Sequence, residues 1–138
     1  MAYNKSYFHR GGENPLRGQT IPEHFTDIVS HFPNQEALVC IPQNQRLTYS
    51  ELFLQIDQLA RGLIALNFGK GDRIGIWSTN NLEWVLLQMA TARIGAILVN
   101  INPAYRLHEL EYVLKSSGIV CLFIIPVFKN SNYGKSKV

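Results

Sequence analysis

Four histidines, two cysteines and ten carboxylates are the side chains here that could act as ligands, bases or nucleophiles. A metal centre needs several of them at matched spacing. His9, His24, His31 and His108 are dispersed. His24 and His31 stand seven residues apart on one short helix, too far for a common ligand without a third partner. Cys40 and Cys121 each sit within an apolar run, form no CxxC and have no histidine at ligand spacing. They read as two buried thiols of a reducing compartment. Asp57, Glu83, Glu109 and Glu111 read as carboxylates on solvated helix faces. Ser50 and Ser78 have no base near them in sequence and read as helix caps, while Trp77 and Trp84 read as core. No set of nucleophile, base and orienting group emerges.

Two glycine patterns imitate phosphate loops and fail. Gly134-Lys135-Ser136 looks like the end of a P-loop, but the glycine needed at position 129 is a lysine, and too few residues follow to form a helix. Gly69-Lys70-Gly71 looks like a dinucleotide fingerprint, but position 74 is Ile and the turn leads into a strand. It reads instead as a helix C-cap and turn. The residues alone therefore assign no catalytic, cofactor-binding or metal-binding position.

The elements around these residues form a regular series. Residues 1–19 are an irregular arm rich in Gly and polar residues. Thr20 and Glu23 predict a capping box opening a helix whose apolar face is Phe25, Ile28, Val29 and Phe32, ended by Pro33. Residues 37–41 and 46–49 predict a hairpin around Pro42–Gln45. Thr48 and Glu51 predict a second capping box. The helix it opens carries Leu52, Ile56, Leu59, Ala60, Leu63 and Ile64 on one stripe, and stops near Asn67. Residues 73–77 predict a strand. Asn80, with Glu83 three residues on, predicts the start of a helix whose face is Leu82, Val85, Leu86, Met89 and Ala90. Residues 96–101 form an almost unbroken apolar run, the pattern of a strand covered on both faces. Leu107, Leu110, Val113 and Leu114 mark a further helix, and residues 119–125 a last strand. From Leu52 onward helices and strands alternate, which predicts an α/β fold: a mostly parallel sheet built by three helix crossovers of right-handed sense. Residues 20–129 make the domain, and 130–138 a polar tail.

Bulk properties bound the function. The chain has 138 residues, 46% of them hydrophobic and 17% charged, enough for one domain with a real core. The net charge of +3 comes from scattered residues, of which Lys135 and Lys137 are the closest pair. No basic stripe marks a nucleic-acid surface. No run approaches the roughly 20 apolar residues of a membrane span. Lys5, Arg10 and Arg17 suggest a presequence, but Glu13, Gly11, Gly12 and Pro15 interrupt it, so the cytoplasm is the expected compartment.

Particular words in the sequence say more. Arg46-Leu47-Thr48-Tyr49-Ser50-Glu51-Leu52 resembles the first core motif of adenylate-forming enzymes. Leu59 to Leu63 and Lys70 to Trp77 continue in the same style, as do Asn80 and Glu83-Trp84. Gly95 to Arg106 resembles the second core motif, and Glu109 to Tyr112 and Ser117-Gly118 fit as well. In order and at these spacings, the sequence resembles the AMP-dependent synthetases and ligases from about residue 6 to Tyr133. It is most similar in style to bacterial fatty-acyl-CoA ligases and to mitochondrial acyl-CoA synthetase family member 2. The resemblance implies an incomplete first subdomain of an enzyme that uses ATP and magnesium to make an acyl-adenylate and passes the acyl group to coenzyme A. That family's phosphate loop, adenine motifs, ribose carboxylate and catalytic Lys come later than the region matched. The resemblance therefore implies no catalytic, cofactor-binding or metal residue among these 138. The expectation is an inactive fragment of a medium- or long-chain acyl-CoA ligase. It would have an open apolar face and would pair with the missing remainder or with itself. The alternative is a stand-alone module that pairs with a separately encoded remainder or an intact paralogue.

Overall fold

A computed structural model describes residues 16–128, with Gly12 and residues 131–132. Nearly all of the arm from 1 to 15, and the end of the tail with its Gly134-Lys135-Ser136, lie outside the described residues.

The first helix, α1, spans Ile21–His31, and Thr20 caps it. The Thr20 hydroxyl accepts from the Glu23 N–H, and Glu23 Oε2 accepts from the Thr20 N–H at 2.7 Å. The hairpin follows as β1 (Glu36–Cys40) and β2 (Gln45–Thr48), antiparallel to each other. Its turn is one turn of 3₁₀ helix, Ile41–Gln43, closed by Asn44 at φ 50°. Thr48 and Glu51 repeat the reciprocal cap at the start of α2 (Tyr49–Ala65). Both capping boxes form as their spacing predicts.

The sheet proper has three parallel strands in the order β4-β3-β5, with β3 at Arg73–Trp77, β4 at Ile97–Ile101 and β5 at Cys121–Ile124. The expectation of three crossovers needs correction. The β2 strand stays with β1 in a separate hairpin, so α2 enters the sheet rather than crossing it. The two crossovers are α3 (Leu82–Ile94) and α4 (Leu107–Ser117). The first moves outward from β3 to β4, and the second returns past β3 to β5. Two crossovers running in opposite directions share one handedness only if their helices lie on opposite faces, and they do. Ile74 and Ile76 pack with the buried residues of α2 and α3. Trp77 packs on the other side with Ile101 of β4 and Leu110 of α4.

The central strand is the one covered on both faces: all of β3 after Arg73 is buried. The apolar run at 96–101 predicts that position for β4, but β4 is an edge strand, with Ile97 50% exposed. Glycine at 75 keeps β3 close to its neighbours, since a Cβ there would come within 2.9 Å of the methyl groups of Ile119 and Leu122.

The α3 stripe also differs from its expectation. Leu82, Leu87, Ala90 and Thr91 are the buried residues, whereas Val85, Leu86 and Met89 are half-buried. This helix packs against α1, α2 and β4. With three neighbours it carries apolar residues nearly all round, and no single stripe identifies its core face. Thr91 tolerates burial because its hydroxyl donates to the Leu87 carbonyl at 2.8 Å. On α2, Ile64 falls off the predicted stripe and is exposed, while Leu52, Ile56, Ala60 and Leu63 are buried. On α1, Phe25 is half-buried against Tyr49 and Phe53, and Phe32 is an exposed C-cap.

Two helices are tied by charge. Asp57 on α2 is a partner of Arg61 at 2.7 Å and of Arg93 on α3 at 2.9 Å, and the Arg93 guanidinium lies 4.7 Å from the centre of the Phe53 ring. This corrects the reading of Asp57 as a solvated carboxylate. Glu111 does pair on the surface, with Lys115 at 2.5 Å.

The capping carboxylates make the fold acid-sensitive. The Thr20 N–H, and then its hydroxyl, hold the Glu23 carboxyl below the usual range; Thr48 does the same for Glu51. Backbone N–H groups, that of Glu109 first and that of Arg106 next, lower Glu109. A carboxylate with a depressed folded pKa stabilises the fold above its unfolded pKa, near 4.3, and loses that contribution as pH falls through the folded value. The melting temperature is therefore expected to fall on acidification below about pH 4.3. Replacing all three by Gln is expected to flatten that acid limb. An unchanged limb in a melting series against pH would show that the boxes do not contribute.

Candidate functional site

Ligands of open α/β sheets bind outside the carboxyl ends of the strands, where neighbouring connections leave toward opposite faces. Here that point lies between β3 and β4, whose following helices cover opposite faces of the sheet. A crevice of about 580 Å³ occupies it. Ser78, Thr79 and Asn80 line one side, and Asn100, Asn102 and Tyr105 the other.

The walls of the crevice are held by their own polar groups. Asn81 Oδ1 accepts from the Trp84 N–H at 2.8 Å, and Asn81 Nδ2 donates to Ser78 Oγ at 3.0 Å. Asn81 is thus the N-cap of α3, which corrects the assignment of Asn80; Asn80 instead lines the crevice. On the far side the Asn102 carbonyl accepts from Trp77 Nε1 at 3.1 Å and from the Tyr105 N–H at 3.0 Å. Asn102 Oδ1 accepts from the Ala104 N–H at 2.9 Å. Trp84, Pro103 and Val113 complete the lining. The lining contains no charged residue, so the crevice can hold neutral polar groups but supplies no general acid–base pair.

A second concavity, of about 1010 Å³, is mainly apolar. It lies beside β5, floored by Ile76, Leu86, Leu87 and Phe123, with Leu59 of α2 on one flank and Ile125 on the other. Gln55, Gln58 and Glu83 also line it.

The remaining candidates are separate. His24 bonds to Arg17 at 3.0 Å, and His31 to the Asp27 carbonyl at 2.7 Å. His108 lies exposed in α4, and His9 is outside the described residues. Cys40 and Cys121 are free and half-buried. Burial pushes the Cys121 thiol up. Ser78 belongs to the crevice wall, and Ser50 to the first turn of α2. Trp77 is core, as expected, and Trp84 is half-buried against the α2–α3 side. Gly71, at φ 89°, lies in the turn before β3 as expected, but the expected C-cap is not there: α2 is capped at Leu66, with Asn67 at φ 64°. Among the described residues no group of three or more His, Cys, Asp or Glu could hold a metal ion, and no helix is long and apolar enough to cross a membrane.

The family model described as AMP-binding enzyme matches residues 25–137. The chain belongs to the AMP-binding enzyme family. Relatives of the chain include the mitochondrial medium-chain acyl-CoA ligase ACSF2 of Rattus norvegicus. It is 41% identical over 128 residues, which are 93% of this chain and 21% of that one. Among solved structures, the N-terminal subdomain of Klebsiella oxytoca NpsA matches with a TM-score of 0.73 and 28% identity, over 80% of this chain and 28% of that one. A Mycobacterium tuberculosis fatty acyl CoA synthetase matches with a TM-score of 0.73 and 27% identity, over 76% of this chain and 21% of that one. The chain thus spans about a fifth of the length of the curated relatives it matches.

Proposed function

We propose that these 138 residues are the opening part of a fatty-acyl-CoA ligase for medium- or long-chain acids. Such an enzyme would use ATP, magnesium and coenzyme A. The observation that carries this reading is the 41% identity to a medium-chain acyl-CoA ligase, sustained over 93% of the chain. The role of this part is architectural: it supplies the first three parallel strands and the polar crevice at their carboxyl ends. No catalytic, cofactor-binding or metal residue is assigned within it. The crevice has no side-chain carboxylate for magnesium and no side-chain cation for a phosphate, so no chemical step is routed through it. The cytoplasm is the proposed compartment, although the rat relative is by its name mitochondrial.

A second reading has one observation in its favour. The apolar concavity beside β5 suits a module that pairs with a separately encoded remainder or an intact paralogue.

A chimera tests the first reading. The rat ligase, with its matching fifth replaced by this chain, is expected to form medium-chain acyl-CoA, and the same ligase lacking that fifth is expected to form none. A chimera that melts cooperatively yet turns over no acid in a panel from short to long chain would overturn the reading. Activity restored by supplying this chain as a separate polypeptide would favour the module.

A further inference from the structure

We infer that Gln43, in the hairpin turn, is a positioning residue for one wall of the crevice, which it does not itself line. The inference rests on the fold and is independent of the ligase reading. That wall comes from one short stretch of chain, Ser78 to Trp84. Ser78, Thr79, Asn80 and Trp84 line the crevice, and Leu82 and Glu83 between them do not. Those two are the residues that Gln43 holds. Its Oε1 accepts from the Leu82 N–H at 2.7 Å, and its Nε2 donates to Glu83 Oε2 at 2.8 Å. Asn81 binds the stretch together internally, through Ser78 Oγ and the Trp84 N–H. It therefore sets the shape of the stretch and not its place in the molecule. Among the described residues, the side-chain hydrogen bonds that join this stretch to a distant part of the chain are those of Gln43.

The hairpin that carries Gln43 is itself anchored. Leu47 is buried in the core shared by α2 and α3, with Ala37 and Leu38 packed beside it. The Cys40 thiol donates to Gln43 Oε1 at 2.9 Å, so the carboxamide is gripped from its own side as well. The three partners also decide the residue type. One end of the side chain must accept from an N–H and a thiol while the other donates to a carboxylate, and a carboxamide does both. A carboxylate at this position would face Glu83 as a like charge. A lysine could not accept from Leu82, and an asparagine is one methylene shorter. Leu82 is only 8% exposed, and a buried amide left without an acceptor is costly. Loss of Gln43 therefore drives the first turn of α3 to re-seat toward water, and the crevice wall on either side of it moves too.

Residual dipolar couplings of the 138-residue chain test this, because they report how N–H vectors lie relative to the sheet. Gln43→Ala is expected to change the couplings of Thr79, Asn80 and Trp84, while those of β3, β4 and β5 keep their wild-type alignment. Gln43→Glu is expected to change them at least as much. Adding Glu83→Gln to Gln43→Glu is expected to restore them, since donor and acceptor then exchange ends of one contact. Should Gln43→Ala fail to fold, Gln43→Asn gives the same reading. A Gln43→Ala chain that melts earlier yet keeps wild-type couplings at Thr79 and Asn80 would show a merely local cap and overturn the inference. So would couplings that stay displaced in the Gln43→Glu, Glu83→Gln double variant.

Discussion

The 138-residue chain alone is expected to form no acyl-CoA above a blank from ATP, magnesium, coenzyme A and fatty acids. Acyl activation requires groups that stabilise charge on a transferring phosphoryl centre, by cations or by main-chain N–H groups aimed at it. The crevice at the β3 and β4 ends is lined by amides, hydroxyls and rings, without one charged side chain. Both glycine patterns in the sequence fail as phosphate loops. One is a turn into β3, with Gly71 at φ 89°. The contrast with the chimera is then all or none: the same residues are silent alone and productive in a complete enzyme. Thioester formation followed with a panel of acids decides it. Turnover clearly above the blank would place catalytic groups within this chain and would require a new assignment of the crevice.

Replacing Trp77 by alanine is expected to cost about 3–5 kcal/mol. The α4 side of the sheet rests on few fully buried residues: Trp77 at 3% exposure, Ile101 at 1% and Leu110 at 0%. Removing the indole empties the middle of that group and leaves α4 anchored chiefly through Leu110. It also deprives the Asn102 carbonyl of the bond from Trp77 Nε1, and with it part of the crevice wall. Small domains have only about 5–15 kcal/mol of stability, so the variant should be largely unfolded in mild denaturant. Urea titration read by circular dichroism measures the loss. Val120→Ala, at an exposed position, is the control and should change stability by no more than about 0.5 kcal/mol. A Trp77→Ala loss below about 1 kcal/mol would mean that the α4 layer is not supported in this way.

What could be read from the sequence was set by distance along the chain. The capping boxes at Thr20 and Thr48 join residues three apart, so both were visible as words. The C-caps of α3 and α4 fall on Gly95 and Gly118, at φ of 75° and 64°, which favours glycine, whereas α2 is capped at Leu66 and not at the Gly69–Gly71 pattern. The motifs resembling adenylate-forming enzymes led to the family. The failures lie where a distant partner decides. Asn80 followed by Glu83 imitates a cap, but Glu83 is engaged by Gln43 Nε2, forty residues away, and the cap falls to Asn81. The apolar run at β4 says nothing of which strand lies in the centre, because Val and Ile suit edge and interior strands alike. On the last turn of α2 only Leu63 turns into the core, and its neighbour Ile64 stands 57% exposed. The crevice was hidden for the same reason. Ser78 and Asn80 read as caps and Asn102 and Tyr105 as part of a family motif, and only the adjacency of β3 and β4 makes them one surface.

The Gln43 side chain joins three parts of the chain. Its Oε1 accepts from the Leu82 N–H at 2.7 Å and from the Cys40 thiol at 2.9 Å, while its Nε2 donates to Glu83 at 2.8 Å. The first amide of α3 is therefore shielded by a residue of the hairpin turn rather than by its own helix. Solvent deuterium can reach that amide when the turn lifts, even while every hydrogen bond within α3 stays closed. Leu82 thus serves as a built-in reporter: its exchange clock counts openings of a hairpin 39 positions earlier.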